Sequence, residues 1–457
     1  MNKHLQLSAL ALACALPCVA VATGSALEEI IITSSRVPMP LRQIGTSVSV
    51  VNAEEIQQLG FNSLQEIMRI QPGISVTNTG GAGKATSLRI RGEEGYRTRV
   101  RLDGIDISDT SGTQVAPRIE QLLSSGIDRI EVLRGPQGLM YGADAGGVVN
   151  ITSVRPDQGF GGELSAEGGR YGTSQLAARV GAGINSVDLQ LGVVDFETDG
   201  FNATSTDTDL RDEDGYENTT LHGLLGWDVT DLLRLELVGH DIDSDNEYDD
   251  CLSVDDFSPT NVCTDEFEQQ SWRVAADLEI GRFTHQLAYN ENETDRQFFS
   301  EGEPAFGFDG SLEKITYLGS FSGGDALRLV YGVDLETQTM NDGTFDQERD
   351  QDGYYLEYQG GFANSFFITA GVRYDDNDDF GSHTSGRISG AYLVPLAGGE
   401  LKFKGTWGTG FRAPSLYEIA YNDSFFAYPP ASDTTLSEET SEGYDLGVAW
   451  YGPKGGY

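Results

Sequence analysis

The stretch DRIEVLRGPQGLMYGADAGGVVNITS, residues 128–153, decides how this chain is read. It opens as an alternating strand, Ile130 and Val132 against Arg129 and Glu131, and runs directly into a glycine-punctuated turn. Gly142, Gly146 and Gly147 then precede a second β-rich run at 148–152. Alternation at period two is the pattern of a half-buried strand, and clustered glycine marks tight turns or close backbone approach. Physics alone stops at a small, tightly turned α/β unit.

Working outward, Ser63-Leu64-Gln65-Glu66 reads as a capping box opening a helix that buries Leu64, Ile67 and Met68 and stops before Pro72-Gly73. Asn52 with Glu55 gives a weaker start to a preceding helix that ends at Gly60. Pro117 predicts a third, with Ile119, Leu122 and Leu123 on one face and Gly126 as its stop. LRIRG (88–92) and VRLDGIDI (100–107) read as strands between them. Together they make a mixed α/β domain of about 120 residues.

Charge divides the chain. Residues 1–155 hold 14 Lys/Arg and 14 Asp/Glu, whereas 156–457 hold 16 against 57 and carry the whole net charge of −41. That places a boundary at Arg155-Pro156, with the α/β domain over 36–155 and a second domain over 156–457. Such acidity argues against nucleic acid as a partner, because phosphate binding needs a basic face. Residues 1–22 carry one Lys, an apolar run and the ending Ala20-Val21-Ala22, the pattern of a secretory signal peptide. The mature chain is then expected to start at Thr23, with 23–35 as its N-terminal segment.

The acidic half reads as strands joined by hairpins. Val187, Leu189, Leu191 and Val193 alternate with small or polar residues, as do Leu233, Leu235 and Leu237. Residues 272–280, Gly281-Arg282 and 283–290 read as strand, tight turn, strand, and similar pairs follow to residue 411. Short turns alternate with long acidic loops, expected at 199–217 and 241–268. Mean hydropathy is −0.30, and no segment after the leader approaches 18 uncharged apolar residues, so spanning helices are excluded. A membrane role would come from strands, to which 19 Tyr and 21 Phe offer interfacial girdles. A soluble β-sandwich fits these patterns about equally well.

The ordered motifs, from Glu29–Thr33 with Ser35-Arg36 through LRIRG and LDGIDI to IDRIEVLRGPQGLMYGADAGGVVNI, resemble a complete plug of the TonB-dependent outer-membrane receptors. Within that family the chain is most similar to the vitamin B12 and small-siderophore receptor group. The resemblance implies an α+β plug inside a transmembrane antiparallel β-barrel of about 22 strands. From Gly161 the chain offers roughly 14 strand segments and then ends in a turn-like composition, Pro453-Lys454-Gly455-Gly456-Tyr457, so the barrel is expected to be incomplete.

The same resemblance implies energised uptake of a scarce ligand, a ferric siderophore or cobalamin, by a protein set in outer-membrane lipid. A TonB-type energy-coupling protein would pull through a box at Glu28, Glu29, Ile30, Ile31, Ile32 and Thr33, a segment suited to β-strand addition. Arg91 and Arg134 occupy positions that in the family seat the plug against barrel carboxylates, with Glu418 and Asp445 as candidate partners. Cys251 and Cys263 form a short loop in an oxidising compartment and read as a disulfide. No cofactor is required, but the acidic external loops of the vitamin B12 receptor hold calcium. Asp207, Asp209, Asp212, Asp214, Asp241, Asp243 and Asp245 are hard oxygen candidates for Ca²⁺ here. Asp241-x-Asp243-x-Asp245 itself fails as an EF-hand, since Asn246 replaces the required Gly.

Enzymatic readings fare poorly. Residues 80–85, GGAGKA, glance at a phosphate loop, but Asn78 stands where the first Gly belongs and Ala85 where Ser or Thr belongs. The histidines form no HExxH, and no serine sits in Gly-x-Ser-x-Gly. The rival from another class is a secreted β-rich adhesin without transport.

Overall fold

The computed structural model describes residues 31–32, 35–204, 213–396 and 398–452. The first domain is built on a five-stranded sheet. Strands β1 (Ser47–Asn52), β4 (Thr98–Leu102), β5 (Ile105–Asp106), β6 (Ile127–Arg134) and β7 (Gly147–Ser153) stand in the order β1–β6–β7–β4–β5. A separate hairpin is made by β2 (Ile74–Asn78) and β3 (Thr86–Ile90). The stretch 128–153 thus supplies two neighbouring central strands, joined through the short helix α3 (Gly138–Tyr141). Ile130, Val132, Leu133, Val148 and Val149 are fully buried, as burial on both faces of a central strand requires. The glycines are needed for contact: Gly142 has φ +78° and a Cβ there would lie 3.1 Å from Arg373 Nη2, and a Cβ on Gly147 would lie 2.7 Å from Ile90 Cδ1.

Helix signals are only partly obeyed. Asn52 and Glu55 form a full reciprocal capping box on α1 (Ala53–Leu59), which ends at left-handed Gly60. Ser63 does not cap α2 (Leu64–Arg69); its hydroxyl donates to the Glu66 carboxylate instead. With the hydroxyl turned to that carboxylate, the Glu66 N–H makes no bond to the Ser63 side chain, while the Leu64 N–H donates to Leu122 O at 2.9 Å. The expected third helix after Pro117 is a single 3₁₀ turn, Ile119–Gln121. Ala116–Pro117 pairs with Ser108–Asp109, and Leu122 is held extended by that bond from Leu64.

The acidic half forms one antiparallel sheet of 14 strands in strict sequence order. It runs β8 (Gly159–Gly168), β9 (Ser174–Ile184), β10 (Val187–Thr198), β11 (Tyr216–Thr230), β12 (Leu233–Tyr248), β13 (Cys263–Ile280) and β14 (Phe283–Ser300). It continues β15 (Glu303–Ser322), β16 (Arg328–Asn341), β17 (Asp346–Phe362), β18 (Phe366–Asn377), β19 (Gly381–Leu396), β20 (Gly399–Arg412) and β21 (Glu439–Tyr451). The sheet curls around the first domain. Among the described residues β8 pairs only with β9 and β21 only with β20.

Polarity decides between barrel and sandwich. Val187, Leu189, Leu191, Val193, Leu225 and Trp227 face outward and are exposed. The inward positions carry Gln269, Ser271, Asn292, Thr294, Asp334, Glu357 and Arg387, all buried. A soluble sandwich buries its apolar face, whereas a transmembrane barrel turns it to lipid and keeps a polar lumen. Among the described residues no helix is long and apolar enough to cross a membrane.

The loops differ at the two rims. One rim has the short turns at 185–186, 231–232, 281–282 and 363–365; the other has the long connections 199–215, 249–262 and 413–438. The loop expected from Asp241 begins later. Asp241, Asp243 and Asp245 lie on β12, alternating with buried Ile242, Ser244 and Asn246. Strands β12 to β15 have 16 to 20 residues, while about 9–11 cross a bilayer. Their upper halves project into water, and there outward carboxylates are solvated. Extended backbone continues where a loop was expected.

Candidate functional site

The two domains meet through a seam of ion pairs and hydrogen bonds and through apolar patches such as Leu139 and Met140 with Leu318 and Val330. At its lower end Arg36, with φ +59°, reaches the wall and binds both oxygens of Asp334 at 2.9 and 3.0 Å. Asp334 also receives Arg373 at 2.8 Å, and Arg373 in turn holds Asp375 at 2.8 Å. Next to it, Arg387 joins Ser35 Oγ (3.1 Å), Gln137 Oε1 (2.7 Å) and Glu357 (2.7 Å), binding the N-terminal segment and α3 to one wall strand. Lys402 donates to Leu41 O at 2.8 Å. Buried charges are tolerated best when paired, and Arg36, Arg373 and Arg387 each hold a carboxylate, whereas Lys402 has the Leu41 carbonyl.

Higher up, Asp109 takes Arg118 at 2.7 Å and wall residue Arg296 at 3.2 Å. These guanidinium groups hold its carboxyl down at about 2 despite burial. Near the long-loop rim, Gln121 Oε1 accepts from Tyr216 (2.6 Å) and Ser244 (2.8 Å). The GGAGK turn sits beside them. Asn78, the residue that spoils the phosphate-loop reading, organises this turn by accepting from the Gly80 and Gly81 N–H groups at 3.0 and 2.7 Å. Lys84 then donates to Asn246 Oδ1 at 2.6 Å and to the carbonyls of Asp214 and Gly215. Burial lowers its ammonium to about 8.

The residues expected to seat the plug behave differently from one another. Arg91 lies 2.7 Å from Asp445. Arg134 does not reach a wall carboxylate; its Nε and Nη2 donate to Pro72 O at 3.1 and 2.8 Å. Glu418 meets neither: it caps α4 (Leu416–Asn422) through Ser415 and pairs with Arg412 at 2.6 Å. The spacing of the α4 capping box claims this carboxylate locally. Sequence reasoning missed Arg36, Asp334, Arg387 and Glu357. Their available signal was charge at inward positions of alternating strands, as Asp334 between Val333 and Leu335.

Cys251 and Cys263 form a disulfide with Cα atoms 6.0 Å apart. Asp214 is buried and accepts from the Ala203 N–H at 2.7 Å, closing its own loop. Asp207, Asp209 and Asp212 lie outside the described residues. Asp241, Asp243 and Asp245 do not converge, because alternate residues of one strand stand about 6–7 Å apart. Of the expected coupling box, Glu28, Glu29, Ile30 and Thr33 lie outside the described residues, as does the expected leader at 1–22. The backbone of Ile31–Ile32 pairs antiparallel with Met39–Pro40.

Between domain and wall lies a cavity of about 240 Å³ lined by Arg36, Arg101, Arg155 and Arg273 with Asp103 and Glu236. Glu236 takes Arg155 at 2.6 Å and Arg273 at 2.9 Å. Arg101 donates to Gly104 O and lies over the Tyr141 ring. In so acidic a chain this is a cationic interior.

Residues 40–149 match the family described as TonB-dependent Receptor Plug Domain, and residues 152–457 match TonB dependent receptor-like, beta-barrel. The chain belongs to the TonB-dependent receptors. The receptor is 28% identical over 461 residues to "Vitamin B12 transporter BtuB" of Photobacterium profundum, a match spanning 98% of this chain and 72% of that protein. It is 26% identical over 438 residues to the protein of the same description from Vibrio vulnificus, spanning 93% and 68%. Among solved structures it superposes on the siderophore receptor PirA from Acinetobacter baumannii with a TM-score of 0.71 at 19% identity, over 89% of this chain and 68% of that one. For PirA from Pseudomonas aeruginosa the TM-score is 0.67 at 20% identity, over 88% and 71%. At such identities the structural likeness establishes the fold. The receptor is therefore an outer-membrane protein built as a plug within a β-barrel wall, which decides against the adhesin reading.

Proposed function

We propose that the receptor takes up a scarce ligand of the cobalamin or ferric-siderophore type, using force delivered by a TonB-type coupling protein. The observation that carries this is the polar seam. Ion pairs and hydrogen bonds are directional and can exchange with water one by one, so this part of the plug–wall contact can be released stepwise. Force applied at 28–33 reaches the Ser35–Arg387 and Arg36–Asp334 contacts first, because these lie nearest along the chain. Pairing with a coupling protein by strand addition would replace the short ladder between Ile31–Ile32 and Met39–Pro40. Export by a leader at 1–22, with domains at 36–155 and 156–457, belongs to the same proposal.

Both curated relatives named above are described as vitamin B12 transporters, which supports cobalamin as the first ligand to test. The experiment is uptake of labelled cobalamin and of labelled ferric siderophore by cells lacking their own receptors for both, with and without an uncoupler. Uncoupler-sensitive uptake of either supports the proposal. Uptake of neither, with the receptor present in the outer membrane, rejects it.

Calcium on the acidic upper parts of the strands is a part of this proposal with its own test. Asp243 stands opposite Glu268, and Glu268 opposite Asp295, so like charges face each other in register. Directly opposed like charges destabilise a sheet, and a divalent cation would relieve them. Titration calorimetry should show binding, and no heat at millimolar calcium would reject the idea.

A further inference from the structure

We propose that Asp103, His222 and His240 form a transition-metal site that staples the plug to the wall. Asp103 lies in the turn between β4 and β5, in the left-handed conformation (φ +49°). One face of its carboxylate is fixed by Ser153, whose N–H and hydroxyl donate at 2.8 and 2.6 Å. Oδ2, which takes the Ser153 hydroxyl, also meets the wall. His240 Nε2 lies 2.9 Å from Asp103 Oδ2 and His222 Nε2 lies 3.6 Å from it.

The two histidines are brought together by register. His222 on β11 and His240 on β12 are direct cross-strand partners, with ring centroids 4.6 Å apart. One ligand atom from each of the three residues lies within 4.8 Å of the other two. Ligands at about 2.0–2.2 Å from a shared tetrahedral ion stand a little over 3 Å apart, so small side-chain rotations suffice.

A second observation points to a ligand. His222 Nε2 is buried and has no hydrogen-bond partner. A desolvated ring nitrogen without a hydrogen bond, its nearest carboxylate oxygen 3.6 Å away, is unfavourable, and a metal ion at the centre of the triangle would satisfy it. A cavity of about 70 Å³ touches both imidazoles and Ser153, leaving space for a water as fourth ligand. Two imidazoles and one carboxylate suit Zn²⁺ or Co²⁺ and not the hard cations Ca²⁺ or Mg²⁺. Two ligands belong to the wall and one to the plug, so an ion bound here ties the domains together and is released when the plug is withdrawn.

The test uses purified receptor stripped with a chelator and titrated with Co²⁺, whose visible absorption reports a four- or five-coordinate site, and with Zn²⁺ in equilibrium dialysis. The expected result is one ion per chain, with affinity weakened at least about tenfold in Asp103→Asn and in His222→Gln. His285→Gln, in a residue hydrogen-bonded to Tyr317 on another part of the wall, should bind as the parent does. Zn²⁺ should also raise the unfolding temperature of the parent and not of His222→Gln. Should Asp103→Asn fail to fold, His222→Gln decides alone. No Co²⁺ spectrum, or a spectrum unchanged in His222→Gln, overturns the proposal. The outcome is independent of which ligand the receptor transports.

Discussion

Arg36 and Asp334 are joined twice, with Arg36 Nη1 2.9 Å from one carboxylate oxygen and 3.0 Å from the other. The pair ties the first turn of the plug to a strand 298 residues away, and Asp334 holds Arg373 as well. Losing the carboxylate would leave two buried guanidinium groups short of a counter-charge. Asp334→Asn should therefore destabilise the receptor by about 3–5 kcal/mol, read as a lower unfolding temperature in detergent. Arg36→Met should have a smaller effect, because Arg373 still neutralises Asp334. Equal melting of both variants and the parent would contradict this role of the seam.

Arg91 and Asp445 are both partly exposed, so their pair should contribute no more than about 1 kcal/mol. Its importance would lie in plug position. Arg91→Asp should reduce uptake, and Arg91→Asp with Asp445→Arg should restore much of it. Arg134→Glu should not be rescued by Glu418→Arg, because Arg134 binds the Pro72 carbonyl and Glu418 binds Arg412. Rescue of the second pair would refute the assignment.

Glu120 gives a pH dependence with a definite sign. Its carboxyl is buried in the plug, and desolvation pushes it from 4.5 up to about 7. The folded state thus holds this proton more tightly than the unfolded chain. That contribution is fully present below 4.5 and is lost as pH rises through about 7. Glu120→Gln should flatten this part of the stability profile and raise stability at about pH 8, by up to about 3 kcal/mol. Unfolding midpoints measured across that range check it; parallel profiles for variant and parent would count against the burial argument.

The Cys251–Cys263 disulfide closes the loop over β12 and β13, within which Cys251–Leu252 pairs with Pro259–Thr260. Cys251→Ser with Cys263→Ser should make residues 253–258 sensitive to protease while the wall strands stay protected. Cleavage at the same rate as in the parent would show that the bond does not constrain the loop.

The wall strands were legible because apolar and polar residues alternate: Val187 to Val193 shows one apolar face by sequence alone. The phase of that alternation was not legible, and only burial shows that Gln269 and Asp334 face the lumen. The capping pattern misled at Ser63, whose hydroxyl donates to the Glu66 side chain in place of accepting from its N–H. It succeeded at Asn52. Asp241, Asp243 and Asp245 looked like loop because charge is rare in a membrane strand, yet this strand outlasts the membrane. The seam was the least visible feature. Arg36 with Asp334, and His222 with His240 and Asp103, become neighbours only after register and plug docking are fixed.

Energised uptake, as proposed, needs force to enter through residues 28–33 and loosen the seam. Ile31→Pro removes one backbone donor from that segment and leaves every seam residue in place. The decisive measurement compares surface binding with energised uptake of labelled cobalamin, or of the ferric siderophore should that be the ligand, in this variant and its parent. Binding should be unchanged, with uptake reduced to the level seen when an uncoupler is present. Uptake at the parent's rate would contradict the proposed coupling.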